Sequence, residues 1–131
     1  MTRMLNCGSF RTTQGKEMAI RFECSNPSKL LNQFKSKIAL GNKSGGISTW
    51  KEDSDGDFTH VADQIAGKGY LVAHVTNVAP SSLSFYVKYY KNATTAERKL
   101  AFKELSGNLL ATFIDHFGAD FDQAVFFDAR S

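Results

Sequence analysis

The chain has 131 residues, of which 42% are apolar and 12% aromatic, the size and composition of one folded domain with a substantial core. That composition excludes a wholly disordered chain, and no apolar run approaches the ~18–20 residues of a membrane-spanning helix. The net charge of +3 is unevenly spread, with nine Lys/Arg and two Asp/Glu in residues 1–51 against seven and eleven in residues 52–131.

In chain order, residues 1–17 are polar and read as a loose N-terminal arm or an extra edge strand; residues 18–131 read as a single α+β domain. No apolar segment of signal-peptide type follows Met1–Phe10, so a cytoplasmic protein is expected. Ala19–Cys24 alternates apolar and polar residues, the mark of a half-buried strand. Ser25-Asn26-Pro27 then supplies a helix cap and a proline suited to the first helical position. Leu30, Leu31, Phe34 and Ile38 recur at helical spacing, and Gly41 is the expected stop.

Ile47–Glu52 reads as a strand. Ser54-Asp55-Gly56-Asp57 is a tight turn carrying the Asp-Gly pair that hairpins favour, and Phe58–Val61 returns as the partner strand. Asp63–Gly69 reads equally as a turn or a short helix. Tyr70–Val78 and Leu83–Tyr90 are strands separated by the Ala79-Pro80-Ser81-Ser82 turn. Thr94 and Glu97 have capping-box spacing, and Leu100, Leu105, Leu109, Ile114 and Phe117 mark a long helix ending near Gly118. Ala124–Phe127 closes the chain as a strand.

The expected fold is therefore α+β, a two-layer sandwich ordered β-α-β-β-β-β-α-β. Consecutive strands joined by short turns pair antiparallel, giving a mainly antiparallel sheet of about five to six strands with both helices on one face. Leu71, Ala73 and Val75 with Leu83, Phe85 and Val87 are the expected core under the helices. The opposite face is expected to carry Tyr70, His74, Tyr86, Lys88 and Tyr90, with Trp50 as a further candidate.

Catalytic chemistry finds little support. Walker A, G-x-G-x-x-G, G-x-S-x-G and H-E-x-x-H patterns are all absent. Gly41–Gly46 is glycine-rich, but it leads out of a helix, whereas phosphate loops lead into one. Cys7 and Cys24 are expected as reduced thiols, with a Cys7–Cys24 bridge left open by spacing alone. No cofactor is expected. Glu52, Asp53, Asp55, Asp57, His60 and Asp63 form the densest polar cluster. Aligned as a calcium loop from Asp53, it places Phe58 where the turn glycine belongs and Gln64 where the bidentate Glu belongs. A hairpin turn is the simpler reading, and no metal site is expected.

Three functions follow in order of expectation. The first is a small non-enzymatic binding protein of the immunity or antitoxin inhibitor type, acting on a protein partner such as a toxin or nuclease. Its contacts are Trp50, Tyr70, His74, Tyr86, Lys88 and Tyr90, with Asp53, Asp55 and Asp57 mimicking phosphate. The second is a nucleic-acid-binding domain using the helix lysines Lys29, Lys35 and Lys37 together with the Tyr/Lys face. The third is a metal-dependent nuclease built on Asp55, Asp57 and His60.

Overall fold

A computed structural model describes residues 18–62 and 68–128. The expected arm, Cys7 and Asp63 lie outside the described residues. Eight elements follow in the expected order: β1 (Met18–Glu23), α1 (Pro27–Leu40), β2 (Trp50–Glu52), β3 (Phe58–His60), β4 (Gly69–Thr76), β5 (Ser82–Tyr89), α2 (Thr95–Phe117) and β6 (Gln123–Asp128). The strands form one six-stranded sheet in the order β2-β3-β4-β5-β1-β6. Every pairing is antiparallel.

The helices begin where their capping chemistry says they should. The Asn26 side chain accepts a hydrogen bond from the Lys29 amide at 3.2 Å, and Pro27 opens α1. Gly41 ends α1 with a φ of 59°, a conformation that favours glycine. At the start of α2, the Thr94 hydroxyl accepts from the Glu97 amide at 3.1 Å, and the Glu97 carboxylate accepts from the Thr94 amide at 2.9 Å.

Both helices lie on one face, packed over a core of phenyl rings. Phe34 of α1 and Phe113 of α2 meet with ring centroids 5.1 Å apart, and both touch Phe85 of β5. Phe22 of β1 stacks on Phe113 at 4.3 Å. Leu71, Leu83, Phe85 and Val87 are fully buried beneath them, and Ala73 and Val75 pack partly buried against the same cluster. Gly69 lets α2 come close: a Cβ there would stand 2.9 Å from the Lys88 carbonyl oxygen and 3.3 Å from Leu105.

Some expected boundaries shift for local reasons. The strand expected from Ile47 begins only at Trp50, because the Ile47 amide donates to Lys37 of α1 at 2.9 Å instead of joining the sheet. The buried stripe of α2 is Ala101, Leu105, Leu109, Phe113 and Phe117, each four residues from the last. Leu100 and Ile114, expected on that stripe, are instead exposed by 42% and 56%.

Candidate functional site

The sheet has a second face, on which no helix packs among the described residues. Strand alternation determines which side chains it carries. On β4 and β5, Tyr70 lies opposite Lys88, Val72 opposite Tyr86 and His74 opposite Ser84. Opposed residues in an antiparallel pair share a face, so Tyr70, His74, Tyr86 and Lys88 stand together, as expected from sequence. Tyr90 follows directly after β5, and its ring lies 5.2 Å from that of Tyr70. His74 and Tyr90 are exposed, while Tyr70, Tyr86 and Lys88 are half-buried.

β1 and β6 extend this face further than the sequence indicated. Ala19 lies between Tyr86 of β5 and Phe127 of β6, and the two rings meet edge to face at 6.0 Å. The Arg21 guanidinium stands 5.2 Å above the Phe127 ring and pairs with Glu23 at 3.2 Å. Gln123 donates to the other Glu23 oxygen at 2.7 Å. The face thus carries an aromatic strip, Tyr70–Tyr90 at one end and Tyr86–Phe127 at the other. Arg21 and Phe127 were missed because each strand's alternation gives its faces but not its neighbours, and β1 reaches its place between β5 and β6 only in the tertiary fold.

Trp50 does not belong to this face. It is 2% exposed under the helices, and its indole N–H donates to the Thr112 hydroxyl at 3.1 Å. Its ring meets Phe34 at 6.4 Å and His60 at 5.1 Å. The parity of β2 decides this: Glu52, two residues on, points the same way and pairs with Lys35 of α1 at 3.3 Å.

The acidic turn lies beside the Tyr70–Tyr90 end. The Asp53 amide donates to the Asp57 carbonyl and the Gly56 amide to the Asp53 carbonyl, with Gly56 at a φ of 85°. That is a type I turn closed by a glycine bulge. One Asp53 carboxylate oxygen accepts from the amides of both Asp55 and Asp57, each at 2.9 Å. This asparagine-like turn role is sufficient to explain Asp53. Carboxylate oxygens of Asp53, Asp55 and Asp57 lie within 4.8 Å of one another. Burial and then the charges of Asp53 and Asp55 push the Asp57 carboxyl above its ordinary range, against an opposing pull from Lys88. Tyr90 is likewise raised, first by burial and then by Tyr70, Asp53 and Asp57. Three carboxylates thus stand beside this end of the face, with Lys88 opposite Tyr70 acting against them.

His60 is turned away from these carboxylates. It pairs with Trp50 across β2 and β3, its Nδ1 accepts from the Ala62 amide at 3.1 Å, and burial lowers its pKa. The expected grouping of Asp55, Asp57 and His60 around one metal is therefore not formed. Nor do the α1 lysines join the Tyr/Lys face, since α1 covers the opposite side of the sheet. Lys35 is paired with Glu52, and Lys37 donates to the Gly45 carbonyl at 3.2 Å. Cys24 is buried, and burial pushes its thiol up, away from the thiolate that a nucleophile requires. His116 sits exposed in the last turn of α2, where a cation suits the helix dipole.

No protein-family model, curated protein or solved structure matches the chain. Among the described residues, no helix is long and apolar enough to cross a membrane.

Proposed function

We propose that the chain is a small non-enzymatic binding protein that occludes a protein partner with its helix-free sheet face, in the manner of immunity and antitoxin-type inhibitors. The observation that carries this reading is the aromatic strip Tyr70, Tyr90, Tyr86 and Phe127, set on the sheet beside the carboxylates of Asp53, Asp55 and Asp57. Tyrosines bury much area at low entropic cost and anchor protein interfaces. Adjacent carboxylates suit an Arg or Lys on the partner, such as those lining a nuclease's substrate groove.

Two observations favour protein over nucleic acid. The acidic turn repels phosphates at the Tyr70–Tyr90 end, where bases would have to stack. The lysines of α1 belong to the other layer and cannot extend the face into one basic surface.

The test is capture of partners on the tagged full chain from its source lysate after nuclease treatment, beside the Tyr86→Ala and Tyr90→Ala variants. One stoichiometric protein that is retained by the wild type and lost by the variants supports the proposal. Recovery that vanishes with nuclease overturns it in favour of nucleic acid.

A further inference from the structure

The chain enters the sheet at one particular end of the helix-free face. β1 begins at Met18, and Ala19 stands opposite Tyr86 of β5. The next row on the same face, beyond Ala19 and Tyr86, holds Lys88 and Tyr70, with Tyr90 and the acidic turn beside it. The segment 1–17 is thus tethered at the Tyr70–Tyr90 end. Its cations are Arg3, Arg11 and Lys16, its one acid is Glu17, and its one aromatic, Phe10, directly precedes Arg11. An aromatic followed by an arginine matches what this end offers, a tyrosine pair beside three carboxylates. Asp53 and Asp55 are exposed, so a guanidinium can reach them from outside the sheet.

We infer that residues 1–17 fold back across the helix-free face, with Phe10 against Tyr70 and Tyr90 and Arg11 at the carboxylates of Asp53, Asp55 and Asp57, as a tethered competitor for the partner's site. The competition rests on the binding function proposed above; the docking itself does not. The reach is sufficient. β3, which carries the acidic turn, lies three strands from β1, about 14 Å across the sheet. Arg11 precedes Met18 by seven residues, which extend to about 23 Å. A short tether also holds the arm at an effective concentration of about millimolar, so contacts too weak to join separate molecules keep it in place. A partner must displace it, and its apparent affinity falls by the fraction of chains whose face is covered.

The test places a nitroxide on Cys7 of the full chain, Cys24 being 4% exposed and shielded from the reagent, and reads paramagnetic broadening of the amide resonances. The expected result is strong broadening at Asp57, Tyr70 and Tyr90 and none at Asn32 or Ser36 on α1. A loose arm also passes near its own tether, so the deciding comparison is Arg11→Glu, which is expected to reduce the broadening at Asp57 several-fold at unchanged melting temperature. Phe10→Ala makes the same comparison from the aromatic side. Broadening spread over both layers, broadening confined to β6, or an Arg11→Glu pattern identical to wild type overturns the docking and leaves the partner-capture test standing. With docking established, Arg11→Glu is expected to bind the captured partner several-fold more tightly; equal affinity overturns the competition.

Discussion

Replacing Trp50 with Phe tests the placement of the only tryptophan, which the structure puts in the core beneath α2. The indole is 2% exposed and donates to the Thr112 hydroxyl at 3.1 Å. Phenylalanine retains part of the ring packing against Phe34 but leaves a void where the second indole ring stood, worth about 1–2 kcal/mol. The lost hydrogen bond adds about 0.5–1.5 kcal/mol. Thr112 keeps its own bond to the Asn108 carbonyl at 2.8 Å, so no hydroxyl proton is orphaned. The expected loss is therefore about 1.5–3.5 kcal/mol, a midpoint shift of about 1–2 M in a urea titration followed by far-ultraviolet circular dichroism. Wild-type fluorescence provides an independent check: emission is expected to be blue-shifted and shielded from acrylamide. Solvent-like emission that acrylamide quenches readily, together with a loss below about 0.5 kcal/mol, would refute the buried placement of Trp50.

Three further outcomes follow from the same geometry. Phe113→Ala removes a ring that touches Phe22, Phe34, Phe85 and Phe117 and is expected to cost about 3–5 kcal/mol, whereas Leu100→Ala on the exposed flank of the same helix stays within about 0.5 kcal/mol by urea titration. Thr94→Ala breaks the capping box and is expected to lower stability by about 1 kcal/mol by the same measurement. Two groups contribute to the loss of stability in acid, against an opposite contribution from Asp57. His60 is lowered from 6.5, chiefly by burial and despite Glu104, so its unfolded form binds protons first and stability falls as pH drops below about 6.5; His60→Phe is expected to flatten that step in melting temperature against pH. Glu97 is lowered to about 2, first by its bond from Lys68 and then by the Thr94 amide, so its contribution holds above pH 4.5 and disappears as pH falls toward 2.

Much of the fold was legible because each signal was local. The alternation in Leu83–Tyr90 assigned both faces of β5 correctly, and Asn26, Pro27, Thr94, Glu97 and Gly41 marked helix ends through chemistry confined to a single turn. What escaped was set by tertiary partners. Leu100 and Ala101 are adjacent, and hydrophobicity favours Leu, yet the helix turns Ala101 inward because close approach to Gly69 requires a small side chain. Trp50 lies in a strand of three residues, too short for alternation to show its face, and the partner that satisfies its N–H is 62 residues away. Within the candidate site, Tyr70, His74, Tyr86 and Lys88 were readable from parity alone. Arg21 and Phe127 were not, because nothing local reveals that β1 inserts between β5 and β6.

The proposed binding of a protein by the helix-free face rests on its aromatic strip. Its most direct test is the affinity of the captured partner for wild type and for a Tyr86→Ala/Tyr90→Ala double variant with unchanged melting temperature, measured by calorimetry at low and high salt. The expected result is a loss of at least about tenfold in the variant and only modest weakening of the wild type by salt, as aromatic anchors require. Wild-type binding that collapses with salt while the double variant binds equally well would contradict it, and would assign the interaction to charged groups, the acidic turn or the lysines and arginines, instead of the aromatic strip.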